Sequence, residues 1–179
     1  MIHNHAWASQ GDVFSEVPNG QVILTTGGQL RLPILQTNPA ILLTFDCVLD
    51  KPNRDQSPRI KRLHFLPLFL VSEQDLNLQR ALRRAGTAPY EFFYLGECGA
   101  LGEVFAPLSE SYSLPAAYFE VRLEPFDRES PGSDGELRLT FGAHDTRIGL
   151  VEPEKREVLK DKMNAFWTQR LPPNAGTTS

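Results

Sequence analysis

Asp46, Cys47, Asp50 and Lys51 follow directly on an apolar run in the stretch PAILLTFDCVLDKP, residues 39–52. Two carboxylates, a thiol and an ammonium can transfer protons or attack an electrophile if one strand end gathers them. A carboxylate beside Lys51 or Arg147 stays ionised, and a thiol beside a cation gains thiolate character. The same residues fit a plainer reading. In it Cys47 is a small core hydrophobe, Asp46 caps a turn, and Asp50 with Lys51 opens a loop. For a Cys–His pair the nearest base in sequence is His64, which shares strand parity with Leu66 and Leu68 and fits a core or rim position equally well.

A second concentration of chemistry is cationic. KPNRDQSPRIKR, residues 51–62, carries Lys51, Arg54, Arg59, Lys61 and Arg62, which suit either a solvated loop or a phosphate-binding groove. The formal net charge of −4 excludes a generally basic nucleic-acid binder but leaves room for such a local groove. The aromatic run YEFFY, Tyr90–Tyr94, suits base stacking or ordinary sheet packing. Asp46, Asp50, His64, His144 and Asp145 are metal-ligand types without metal spacing, and His3 offers only the square-planar copper or nickel binding of any third-position histidine. No cofactor or metal is implied. Cys47 and Cys98 form neither a CxxC pair nor a disulfide framework, no apolar run nears the roughly 20 residues of a membrane span, and MIHNHAWASQ lacks a secretory signal's pattern. A cytoplasmic protein with reduced thiols and no membrane contact is expected.

The elements that must position these groups are mostly strands. GDVFSEV, QVILTT and QLRLPIL alternate between turn signals, with Pro33 confining the third to an edge or bulge. AILLTFDC reads as a central strand buried on both faces, and RLHFLPLFLV as its equal, with Pro67 marking a bend. YEFFYLG, AAYFEVRL and ELRLTF complete the strands. Ser72 with Asp75 resembles a capping box opening a helix with the stripe Leu78, Leu82 and Ala85, closed by Gly86. A second helix starts near Pro153, with Val158, Leu159, Met163, Phe166 and Trp167 as its apolar face and Lys155, Arg156, Lys160 and Lys162 towards water. With 179 residues, the chain is read as a tail (1–10), a single mainly β domain (11–171) and a second tail (172–179). Loop insertions fall near 51–62 and 126–136. A small β-barrel with one internal and one C-terminal amphipathic helix is the expected architecture.

GDVFSEVP followed by PAILLT resembles the GD and PALVLS segments of the MazF/PemK-like toxins. RLHFLPLFLVS is similar to that family's next central strand, and TRIGLVEPEKREVLKDKMNAF to its closing strand and terminal helix. LTFDCVLDK also resembles barrel proteins with a Thr-x-Asp-Cys-Asp pattern, Val48 standing at the second aspartate. The resemblance covers most of residues 11–170. It implies an SH3-like barrel, commonly a homodimer, that cleaves single-stranded RNA and is inhibited by an antitoxin. Asn38 stands where the family has an arginine, while Ser72 falls near the family's strand-end hydroxyl. On this resemblance the rim site comprises Asp46, Cys47, Asp50, Ser72 and Arg147, with Lys51, Arg54, Arg59, Lys61 and Arg62 on RNA. The alternative is a non-enzymatic interaction module of a bacterial defence or toxin–antitoxin assembly.

Overall fold

The apolar run after Pro39 forms the middle of the molecule. A computed structural model describes residues 8–19, 23–24, 30–31, 36–45, 49, 53–55, 58–84, 91–119, 122–125, 137–140 and 147–170. Its strands are β1 (Asp12–Asn19), β2 (Ile23–Leu24), β3 (Leu30–Arg31), β4 (Gln36–Leu42), β5 (Arg62–Pro67) and β6 (Phe69–Leu70). They continue with β7 (Phe92–Glu97), β8 (Glu103–Pro107), β9 (Tyr112–Pro115), β10 (Arg122–Pro125), β11 (Leu137–Thr140) and β12 (Arg147–Leu150). An internal helix spans Leu76–Arg83 and a C-terminal helix Pro153–Arg170. The protein is thus mainly β with these two helices. Antiparallel strands form one sheet in the order β12-β1-β4-β5-β9 and another in the order β6-β8-β7. Among the described residues no ladder closes the first sheet into a barrel.

Strand β4 is central, and Ala40, Ile41 and Leu42 are fully buried, as a run apolar on both faces requires. Period-two alternation then divides two cores. Val13, Ile41 and Leu66 are cross-strand neighbours and face the second sheet, joining Phe93, Val104, Leu159 and Phe166. Phe14, Leu42, Leu63 and Phe65 face the other way, against Leu49 and Phe119. Phe65 stacks 5.3 Å from Phe119 between ring centroids. Pro67 ends β5, the Leu68 N–H bonds to Pro39 O at 2.8 Å, and the chain bends into β6 of the second sheet. The bend expected at Pro67 is therefore a transfer between sheets, as at the corner of an orthogonal packing.

Several expectations are corrected. Ala116–Phe119 is a 3-10 helix, so AAYFEVRL is not one strand. Its alternation is matched by Ala116 and Phe119, which bury the same side one turn apart. The internal helix is capped by Asp75, whose carboxylate accepts from the Asn77 and Leu78 amides, rather than by Ser72. Ala85 and Gly86, assigned to its end, lie outside the described residues, as do the 126–136 insertion and the 172–179 tail. Residues 8–10 are packed rather than tail, with Ala8 buried. On the C-terminal helix, Lys155 and Lys162 donate to the carbonyls of Leu95 (2.9 Å) and Phe92 (2.8 Å), so neither simply faces water. Val158 and Trp167 are exposed instead, at 51% and 44%. Phe92 and Tyr94, from the aromatic run, pack around the Val71, Leu82 and Phe105 cluster under the internal helix.

That helix is also tied by charge. Arg83 Nε and Nη2 donate to Glu103 at 2.9 and 2.5 Å, and the Tyr94 hydroxyl donates to Glu103 Oε1 at 2.5 Å. The Arg83 bonds, then the Tyr94 bond, hold the Glu103 carboxyl down at about 2, against an ordinary 4.5. Burial first, then the bond to Glu103, push Tyr94 up to about 12.

Because the folded Glu103 value is depressed, its stabilisation is present above pH 4.5 and is lost as pH falls toward about 2. Arg83 is half-exposed, so solvent keeps the effect small. Glu103→Gln should therefore flatten the fall in melting temperature over that range; an equal fall in variant and wild type would refute the assignment. Replacing the fully buried Phe166 by Ala should cost roughly 3–5 kcal/mol in urea unfolding. Trp167→Ala should cost clearly less, and equal losses would contradict its exposure.

Candidate nucleic-acid interface

Antiparallel pairing brings the start of β1, the end of β4 and the start of β5 to one edge of the five-stranded sheet. The C-terminal helix passes over that edge. Between them lies a cleft of about 940 Å³. Its sheet wall includes Leu43, Phe45, Arg59, Lys61, Arg62 and His64. Its helix wall is Arg156, Leu159, Lys160, Met163, Asn164 and Trp167, whose spacing is one face of a helix. Five cationic side chains and His64 line the cleft, and none of the described lining residues is a carboxylate.

Local sequence explains how the walls are held. Ser9 to Asp12 form a turn in which the Asp12 N–H bonds to Ser9 O at 3.0 Å and Asp12 Oδ2 accepts from the Ser9 amide at 2.8 Å. Gly11 occupies the turn's third position with φ +93°, which favours glycine. A Cβ there would also fall inside contact distance of Arg156 Cδ. Arg156 thus lies across the bare backbone, with Nη1 donating to Gln10 O at 3.0 Å. Gly11 itself donates to Leu42 O and accepts from the Val151 amide, both at 2.8 Å. One residue thus joins β1 to β4 and to the segment entering the helix.

On the opposite wall, Arg62 Nε donates to Ser113 Oγ and Nη2 to Ser113 O, each at 2.8 Å. These bonds fix a guanidinium at the mouth, despite its exposure. Beyond the β4–β5 ladder the His64 amide donates to Thr44 Oγ1 at 2.9 Å, and the Leu43 amide to His64 O at 2.8 Å. His64 is exposed in the cleft although its parity partners Leu66 and Leu68 are buried. Phe45, 48% exposed, and Trp167 offer open aromatic faces. Trp167 packs edge-on against buried Phe166 at 5.4 Å, which steadies the indole.

Of the groups expected on nucleic acid, Arg59, Lys61 and Arg62 line the cleft, Arg54 is exposed outside it, and Lys51 lies outside the described residues. Asp46, Cys47 and Asp50 also lie outside the described residues. Arg147 is not at the cleft: its Nη1 meets the fully buried Asp12 Oδ2 at 3.3 Å, binding β12 to β1. A buried carboxylate demands such a partner, so this arginine's place is structural. Ser72 is exposed on the turn after β6 and lines no part of the cleft. Neither Arg147 nor Ser72 is thus among the cleft's lining residues, and the rim expected to join them to Asp46, Cys47 and Asp50 lies partly outside the described residues. Asn38 sits within β4 opposite Val17 and is likewise absent from the lining. Cys98 is half-buried, and burial pushes its thiol up towards the protonated form. Among the described residues no group of three potential ligands can hold a metal ion, and no helix is long and apolar enough to cross a membrane. Sequence reading missed Arg156, Lys160, Phe45 and Trp167 as site residues. The interleaving of cations with apolar residues at 156, 159, 160, 163 and 167 was the available signal.

No protein-family model matches this chain, and no curated protein matches it in sequence.

Gly11→Ala should destabilise the protein by roughly 1–2 kcal/mol from backbone conformation alone, with a further loss as Arg156 is displaced. Denaturant unfolding measures the sum. A variant as stable as wild type would refute the close approach.

Proposed function

We propose that the protein binds single-stranded RNA along this cleft, in keeping with its resemblance to the MazF/PemK-like toxins. The observation that carries the reading is the convergence of five cations and two exposed aromatic side chains on one groove, with no carboxylate among its described lining residues. Phosphates engage Arg59, Lys61 and Arg62 on the sheet wall and Arg156 and Lys160 on the helix wall. Bases stack on Phe45 and Trp167, a contact tolerant of sequence because every base has a π-face. A chain of net charge −4 gains from confining positive potential to a cleft, where low-dielectric walls focus the field.

Fluorescence anisotropy with a labelled, unstructured RNA oligonucleotide tests this. If all five cations meet phosphates, affinity should fall on the order of 100-fold between about 50 and 200 mM salt. Lys61→Ala with Arg62→Ala should weaken binding and shallow that salt dependence. Trp167→Ala should cost about 1–3 kcal/mol of binding. Arg80→Ala, on the internal helix, should change neither. Absent binding, or binding indifferent to salt and to the cleft variants, refutes the reading.

A further inference from the structure

We propose that the cleft holds a single-chain anionic amphiphile, a free long-chain fatty acid, with its carboxylate on the sheet-wall cations and its alkyl chain between sheet and helix. The RNA-binding reading uses the cations and the two exposed rings but leaves the aliphatic lining without a task. This inference goes beyond that reading and stands apart from it. Burial is graded across the lining. Leu42 and Leu159 are buried, Leu43, Ile60 and Met163 are half-buried, and the cations of the sheet wall are exposed. That order makes an apolar floor beneath a charged mouth.

The floor lies where the two cores come to one edge. Leu43 and Met163 pack against the core between the sheets, and Ile60 packs against the core on the other side of the five-stranded sheet. Their outer surfaces line one space of about 940 Å³, a size that encloses a small organic ligand. An alkyl chain laid there leaves water and covers apolar surface at the same time.

The charge at the mouth selects the other end of the ligand. Arg62 spends Nε on Ser113 Oγ and one Nη2 hydrogen on Ser113 O, each at 2.8 Å. The Nη1–Nη2 edge of the guanidinium is left for a second pair of bonds. Such an edge matches the two oxygens of a carboxylate, and the serine clamp orients it before any ligand arrives. Lys61, also in the lining, adds a point charge beside it. A bilayer is a different partner, because it is met by a protruding apolar face, whereas a cleft walled by strand and helix admits one chain.

Isothermal titration calorimetry on the full chain tests this with decanoate, dodecanoate and tetradecanoate, each below its critical micelle concentration. Affinity should rise roughly tenfold for each two carbons added, as each methylene leaves water. Dodecanol and dodecyltrimethylammonium should bind at least ~10-fold more weakly than dodecanoate. Lys61→Ala with Arg62→Ala should lose dodecanoate affinity by a similar factor. Met163→Glu, shown by circular dichroism to be folded, should bind at least ~10-fold more weakly because a carboxylate then occupies the floor. Phe45→Glu, at an exposed position, repeats that test should Met163→Glu fail to fold. Arg80→Ala should bind as wild type does. Absent binding, affinity indifferent to chain length, or equal binding of the neutral or cationic amphiphile overturns the inference. So does undiminished binding by the cleft variants, or attachment to phosphatidylglycerol vesicles as tight as to free dodecanoate. None of these outcomes depends on RNA.

Discussion

Arg156 can lie across the start of β1 only because residue 11 has no side chain. The left-handed turn at Gly11 presents bare backbone to the arginine stem, and the guanidinium reaches the Gln10 carbonyl beyond it. The helix carrying Arg156 has few deeply buried anchors, chiefly Leu159 and Phe166. Cationic heads set on carbonyls at Gln10, Leu95 and Phe92 therefore add directional fixing to a modest apolar contact. If that placement shifts, one cleft wall shifts with it. The adjacent Asp12 serves the other side, holding Arg147 and hence β12. The dipeptide Gly11-Asp12 thus fixes both neighbours of the first strand's entry, by opposite means: one residue by lacking a side chain, the other by burying a charge.

Charge segregation follows from the same geometry. An acidic chain presents a basic cleft because several carboxylates are already committed elsewhere. Glu103 answers Arg83 and Tyr94, Asp12 answers Arg147, and Asp75 caps a helix. Lys160 is the partial exception, since Glu157 lies 3.4 Å away one turn earlier. Both partners are well exposed, so the pair holds weakly. Arg62 is held by a neutral serine, which orients its charge without cancelling it.

Legibility in the sequence tracked how local the cause was. The β4 and β5 segments were readable because continuous apolar runs leave little choice but a doubly buried strand. The terminal helix was readable from Pro153 and its periodicity. Strands β8 and β9 were not: GEVFAP and SYSLP are short, and each is fixed by partners elsewhere in the chain. The role of Arg147 was illegible for the same reason, because its carboxylate lies 135 residues away. The three cations Arg59, Lys61 and Arg62 were identifiable from clustering alone. The helix wall facing them was visible only once the fold set Arg156 and Lys160 opposite. Trp167 misled because periodicity marks a residue as apolar-faced without saying whether anything covers it, and here the indole is left 44% exposed.

On the binding reading proposed above, an exposed indole and an exposed phenyl ring beside cations constrain the kind of nucleic acid that would fit. In a duplex the base faces are stacked on one another and only their edges reach a groove, so Phe45 and Trp167 would have no partners. A single strand offers both faces and phosphate together, and its flexibility lets successive bases turn to a wall while the backbone follows the charge.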